Sequence, residues 1–229
     1  MFKSMARGFL EILPFLVRNK IRTFYRSIVS ESVIAKWEKQ GRPVPPPHYV
    51  KQRVIEEIHK KYQHNIFVET GTYLGHMVEA QRKKFKFIYS VEIGINLWKD
   101  ATKRFKRYPH IEILQGDSGK MLDKITAQLS EPAIFWLDGH YSGGVTTVGD
   151  TKCPIYGEID AIFKGKKLEH IILVDDARCF TGQDDYPSLE DLTEYVHSKD
   201  PSYLVEVKDD IARCVPKDCV SIALTSGPR

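Results

Sequence analysis

Cysteine is scarce in this chain of 229 residues: Cys153, Cys179, Cys214 and Cys219 are its only four. None forms a C-x-x-C pair, and the C-x4-C spacing of the last two is no standard zinc pattern. They read as free thiols in a reducing compartment. Long apolar runs are missing as well. The longest near the start, residues 9–17, is broken by Glu11 and Pro14, whereas a membrane-spanning helix needs about 20 apolar residues. A secretory signal is not expected either, because Arg18, Lys20, Arg22 and Arg26 follow that run and no small-residue cleavage site does. The expected location is cytoplasmic.

A strong charge of one sign is also lacking. The formal net charge is +4, from 34 basic and 30 acidic side chains, too mild to announce a nucleic-acid binder. Its distribution says more. Residues 1–42 hold nine Lys/Arg against three Glu, which leaves 25 basic and 27 acidic side chains in the remainder. The basic character therefore belongs to the N-terminal segment. With 42% apolar and 28% charged residues, the composition is globular, and the length fits one ordinary domain with a short appendage.

The appendage has its own pattern. Leu10, Leu13, Val17, Ile21, Phe24 and Ile28 recur at helical spacing among the basic residues, so residues 9–29 read as a basic amphipathic helix. Such a helix lies peripherally on an anionic membrane surface, packs on a partner, or covers its own domain or a second copy in a homo-oligomer. Pro43, Pro45, Pro46 and Pro47 then forbid helix. The expected organisation is a helical extension over 1–42, a Pro-rich linker over 43–49, and the main domain over 50–229.

From residue 50 helical and strand signals alternate. Helices are expected over 50–62, 76–84, 95–106, 118–129, 154–164 and 188–198. Strands are expected over 65–69, 87–93, 111–114, 133–137 and 170–174. A C-terminal antiparallel hairpin is expected from 203–207 and 211–215 around Asp209 and Asp210, with 220–224 as the alternative partner strand. Strands alternating with helices of this length make right-handed crossovers and a parallel sheet. Near-continuous apolar strands such as AIFWL and HIILV imply helices on both faces. The fold class is α/β, a doubly wound, mostly parallel seven-stranded sheet.

In such sheets ligands bind beyond the carboxyl ends of the strands. The first five strands end in Glu69-Thr70-Gly71-Thr72-Tyr73-Leu74-Gly75, in Glu92, in Gly116-Asp117-Ser118, in Asp138-Gly139-His140, and in Asp175-Asp176. An acid stands at every one of those ends, a register that scattered solvated carboxylates would not keep. The first loop is G-x-x-x-G, neither the G-x-G-x-x-G dinucleotide fingerprint nor a P-loop. Its glycines allow a tight turn and close approach of a ligand. Glu92 is placed to accept from both hydroxyls of a ribose, and Asp117 from an adenine amino group. These pieces describe a nucleoside with no phosphate to cradle.

E-T-G-T-Y-L-G, then V-E-I, then G-D-S resembles the S-adenosylmethionine site of class I methyltransferases, over about residues 50–217. The resemblance implies a Rossmann-like methyltransferase fold. It places Glu69, Thr70, Gly71, Thr72 and Gly75 on the methionine side of the cofactor, Glu92 on the ribose, and Asp117, Ser118 and Asp138 among the remaining cofactor contacts. W-L-D-G-H and I-L-V-D-D are similar to the magnesium-dependent sugar O-methyltransferases of the macrocin and aminocoumarin type. That likeness implies Asp138, Asp175 and Asp176 as ligands of Mg²⁺, a cation that prefers oxygen. His140 departs from the acid that some relatives carry there. The segment 141–157 maps onto no family pattern, and Tyr141, Ser142 and Thr146 in it are candidate acceptor contacts.

The expected activity is O-methyl transfer to a hydroxyl of a sugar or glycan, with Asp138 and His140 as the catalytic pair and His140 as general base. A neutral imidazole, with its ordinary pKa near 6.5, suits that task. A phenol or catechol is the alternative small-molecule acceptor. A nucleic-acid methyltransferase is disfavoured, because no N-P-P-Y-like motif follows strand four. A non-catalytic cofactor-binding or membrane-associated protein is the reading from another class.

Overall fold

A computed structural model describes residues 28–139, 153–183 and 185–217. The chain divides into two units, Met1–Lys51 and Gln52–Arg229. In the first, residues 28–39 are helical. Ile34, Trp37 and Val50 are buried together, and the Trp37 indole Nε1 donates to the Pro43 carbonyl at 2.8 Å. The Pro-rich stretch up to Lys51 thus falls inside this unit, folded back on Trp37. The amphipathic pattern of 9–29 lies almost wholly outside the described residues. Among the described residues no helix is long and apolar enough to cross a membrane.

In chain order the elements are α1 (His48–Tyr62), β1 (Ile66–Thr70), α2 (His76–Gln81), β2 (Phe87–Glu92), α3 (Ile95–Phe105), β3 (Ile111–Gln115), α4 (Ser118–Gln128), β4 (Ala133–Leu137), α5 (Ile155–Lys164), β5 (Ile171–Val174), a 3-10 turn (Ala177–Cys179), α6 (Leu189–Lys199), β6 (Tyr203–Lys208) and β7 (Ile211–Pro216). One sheet has the order β3-β2-β1-β4-β5-β7-β6. Its first five strands are parallel, and β7 runs antiparallel to both β5 and β6. This is the doubly wound sheet with a C-terminal hairpin that the sequence predicts.

Side-chain alternation explains the two faces. Val68, Phe135 and Ile172 point into one core, packed with Leu122 and Ile125 of α4, Ile159 and Ile162 of α5, and Val196 of α6. Their neighbours Phe67, Ile134, Trp136 and Leu173 point into the other, with Val54 and Ile55 of α1, Val78 of α2 and Phe105 of α3. Both faces being covered is why β1, β4 and β5 are buried along their whole length.

Two expectations are corrected or decided. The helix expected over 76–84 stops at Gln81, and Lys84 N–H turns back to the Gln81 carbonyl at 2.8 Å. Arg82, Lys83 and Lys84 would place three like charges in one further turn, and the Lys84 ammonium instead meets Glu56 at 2.8 Å. The hairpin closes through Asp209 and Asp210, both with positive φ (55° and 63°), as a two-residue turn of the right hand for twisted strands requires. β7 is therefore the partner of β6; residues 220–224 lie outside the described residues.

The strand order reverses at β1, with β2 and β3 on one side and β4 and β5 on the other. That switch point opens a crevice beyond the carboxyl ends of β1 and β4.

Candidate active site

The loop after β1 forms the floor of this crevice. Gly71 and Thr72 N–H both donate to the Val91 carbonyl, at 2.9 and 3.1 Å, which ties the loop to the end of β2. Gly71 has φ 86°. A Cβ added there would lie 2.4 Å from the Asp138 carbonyl oxygen, so only glycine lets the first loop touch the loop after β4.

Acids meet in this floor. Glu69 is buried, and its Oε2 accepts from the Ser90 hydroxyl at 2.5 Å; Thr72 Oγ1 lies 2.6 Å from the same hydroxyl. Burial pushes the Glu69 carboxyl up to about 8; the charge of Glu92 adds to this and the Ser90 hydrogen bond opposes it. Glu92 is also buried. Its two oxygens accept from the backbone N–H of Tyr73 (2.7 Å) and of Gly94 (2.8 Å). Tyr73 takes a left-handed backbone, φ 46°, a conformation that this hydrogen bond supports. Glu92 thus organises the first loop as well as facing the crevice, a role that the sequence did not announce. Each of its oxygens retains acceptor capacity for a further donor.

On the β3 side, Asp117 caps α4, its Oδ1 accepting from Lys120 N–H at 3.1 Å, and Ser118 is the first residue of that helix. Beside it an open groove of about 740 Å³ runs between α4, α5 and α6, lined by Asp123, Asp160, Lys164 and Lys199 among others. It contains none of the acids after β4 and β5.

Those acids form the other wall. Asp138 N–H donates to the Thr70 carbonyl at 3.2 Å, and Asp175 N–H to the Leu137 carbonyl at 3.0 Å. Carboxylate oxygens of Asp138, Asp175 and Asp176 lie within 4.8 Å of one another. Asp175 is fully buried, and its Oδ1 accepts from Asp176 N–H at 2.8 Å. Asp176 is left-handed, φ 52°. Three oxygen donors converging from two loops fit a hard divalent cation by number and chemistry. A carboxyl buried beside Glu92, as that of Glu69 is, fits a cationic group of a ligand by charge.

One further acid of this wall, Glu158, was not foreseen. Glu158 of α5 is buried, and its Oε1 would lie 2.9 Å from a Cβ at Gly139. Its trace in the sequence is an acid inside the apolar stripe of Ile155, Ile159 and Ile162. Tyr186 borders the same acids: its phenol is pushed up to about 12, mainly by burial, with Cys153, Cys179, Asp176 and Asp138 adding to the effect. Cys153, Cys179 and Cys214 are free thiols, as expected. His140, Tyr141, Ser142 and Thr146 lie outside the described residues.

No family model matches the chain, and no curated protein is similar to it in sequence. Solved structures match it in fold. A methyltransferase of Podospora anserina, PaMTH1, with S-adenosylhomocysteine bound, matches with a TM-score of 0.55 and 18% identity, over 90% of this chain and 99% of that one. The chain has the fold of a methyltransferase. The O-methyltransferase TomG of Streptomyces achromogenes, in complex with S-adenosylmethionine, matches with a TM-score of 0.54 and 11% identity, over 86% and 96% of the two chains. A putative caffeoyl-CoA O-methyltransferase from Staphylococcus aureus matches with a TM-score of 0.53 and 11% identity, over 88% and 99%.

Proposed function

We propose that this protein is an S-adenosylmethionine-dependent O-methyltransferase, assisted by a divalent cation, that methylates a hydroxyl of a sugar or glycan. One observation carries the reading: three carboxylates after β4 and β5 converge within 4.8 Å, and the loop after β1 packs against the backbone of one of them through Gly71. A cofactor on that loop and an acceptor on those acids would be neighbours.

The roles follow from the residue types. Glu69, Thr70, Gly71, Thr72 and Gly75 hold the methionine end of the cofactor, Glu69 giving its carboxylate to a cationic centre. Glu92 accepts from the ribose hydroxyls, and Asp117 with Ser118 borders the adenine. Asp138, Asp175 and Asp176 hold Mg²⁺. A bound divalent cation supplies acidity to a hydroxyl that is otherwise too weak a nucleophile at neutral pH. His140 would accept the hydroxyl proton, and S-adenosylmethionine, when bound, would supply the methyl group to that oxygen. Much of the rate comes from lining up oxygen and methyl group.

A phenolic acceptor is the second reading. It is supported by the caffeoyl-CoA type among the structures of this fold and by Tyr186, whose half-buried ring borders the acids.

Calorimetric titration with S-adenosylmethionine and with Mg²⁺, on the wild type and on Asp175→Asn, tests the proposal. Expected are cofactor binding in both proteins and Mg²⁺ binding in the wild type alone. Cofactor binding with no metal response in the wild type would sink the metal site. Absence of cofactor binding would sink the transferase.

A further inference from the structure

The acids after β5 are held from outside the crevice. Arg178 follows Asp176 by two residues, and its Nη1 donates to Asp176 Oδ1 at 2.8 Å. The same Nη1 pairs with Oδ2 of Asp210, in the β6–β7 turn. Asp210 reaches back twice more. Its Oδ1 accepts from Arg178 N–H at 2.8 Å, and its carbonyl accepts from Ala177 N–H at 2.9 Å. The Asp210 side chain is almost fully buried, whereas that of Arg178 is about one-third exposed.

These contacts share a geometric task. Asp176 has φ 52°, a backbone that a non-glycine residue keeps only when its surroundings hold it. Asp210 fixes the backbone just after it, and Arg178 fixes its carboxylate. A guanidinium serves because several N–H groups on one rigid plane can engage two carboxylates at once.

We propose that Arg178, anchored by Asp210, is the positioning residue of the cation site: it presents the Asp176 carboxylate to Asp138 and Asp175. The inference rests on the metal reading above. It makes the β6–β7 turn part of the site, although that turn belongs to none of the parallel strands whose ends carry the acids. Outer partners of metal ligands commonly set affinity by about 10- to 100-fold. The alternative is that Arg178 is only a counter-charge. Removing a positive charge beside three carboxylates would then strengthen cation binding.

Mn²⁺ binding, read by electron paramagnetic resonance of the free ion, separates the two, with cofactor affinity measured in parallel on the full chain. Arg178→Gln alone strands a buried Asp210 carboxylate, so the informative variant is Arg178→Gln/Asp210→Asn, which removes both charges together. The expected result is a loss of about tenfold or more in Mn²⁺ affinity with cofactor affinity unchanged. Arg178→Lys, which keeps the charge without the planar fork, should fall between the two. Unchanged or tighter Mn²⁺ binding in the double variant would overturn the proposal, and so would a parallel loss of cofactor affinity, because the damage would then be general. Absence of Mn²⁺ binding in the wild type would instead remove the metal reading itself, a failure visible before any variant is made.

Discussion

Glu69 makes the stability of the ligand-free protein depend on pH in a direction opposite to most carboxylates. Its folded pKa is pushed up from 4.5 to about 8, mainly by burial. The folded state therefore prefers the neutral acid. The associated stability is fully present below pH 4.5 and is lost as pH rises towards 8, at about 1.4 kcal/mol per pH unit, or about 5 kcal/mol over the whole window. Between pH 5 and pH 8 the loss is about 4 kcal/mol, which for a chain of this size lowers the melting temperature by about 10 °C. Glu69→Gln keeps the shape and an oxygen that can accept from Ser90, but it cannot ionise. Thermal and urea melts of both proteins from pH 5 to pH 8.5 isolate this group, because every other titration cancels in the difference. The difference should grow with pH in favour of the glutamine variant. Superimposable pH profiles would refute the reasoning. The same group links to the proposed cofactor: a cationic ligand beside Glu69 favours its ionised form, so binding at pH 7 should release a proton. The heat of binding in buffers of different ionisation enthalpy measures that proton, and Glu69→Gln should abolish it.

Three further outcomes are expected. Gly71→Ala combines a left-handed backbone with a Cβ 2.4 Å from the Asp138 carbonyl oxygen; it should destabilise by about 2 kcal/mol or more and abolish cofactor binding. Gly157→Ala, helical and with nothing within 4 Å of the new Cβ, should instead stabilise by about 0.5–1 kcal/mol in a urea melt. His170 is buried, and its Nδ1 accepts from Ala133 N–H at 3.1 Å. Burial, aided by His64, pushes its pKa down from 6.5 to about 4, so the associated stability is present above pH 6.5 and lost as pH falls towards 4, up to about 3 kcal/mol. The His170 imidazole should still be neutral at pH 5.5 by NMR titration, and His170→Gln should flatten that arm of the stability profile.

The crevice was legible because it needs only two readings of the sequence. Apolar runs such as 133–137 mark strands, and the first polar residue after each run marks a carboxyl end. Parallel order then brings Glu69, Glu92, Asp117, Asp138 and Asp175 to one edge of the sheet whatever the detailed packing. What stayed hidden depends on packing. Arg178 meets Asp210 across 32 residues, and the antiparallel return of β7 beside β5 is what makes that contact. Glu158 is visible in the sequence only as an acid in an apolar stripe, and its closeness to Gly139 depends on how α5 docks. The ends of helices were misplaced where charge decides them, as at Arg82–Lys84.

Backbone strain hides for a deeper reason. Where a chain turns left-handed, glycine is the expected residue, and Gly71 and Gly75 meet that expectation. Tyr73 and Asp176 do not, yet both are left-handed, one in the floor of the crevice and the other in the wall formed by the acids. Each is held by a carboxylate that accepts a backbone N–H: Glu92 takes that of Tyr73, and Asp175 takes that of Asp176. The acids proposed to bind ribose and cation therefore also fix the loops that present them. Replacing either acid removes a candidate ligand contact and the support of a strained loop together. A binding loss in Glu92→Ala or Asp175→Ala consequently sums two effects. For Asp175 the isosteric Asp175→Asn divides them, because the amide oxygen still accepts the Asp176 N–H while the charge that a cation requires is gone; Glu92→Gln does not, because both Glu92 oxygens accept a backbone N–H and the amide would turn one of them into a donor.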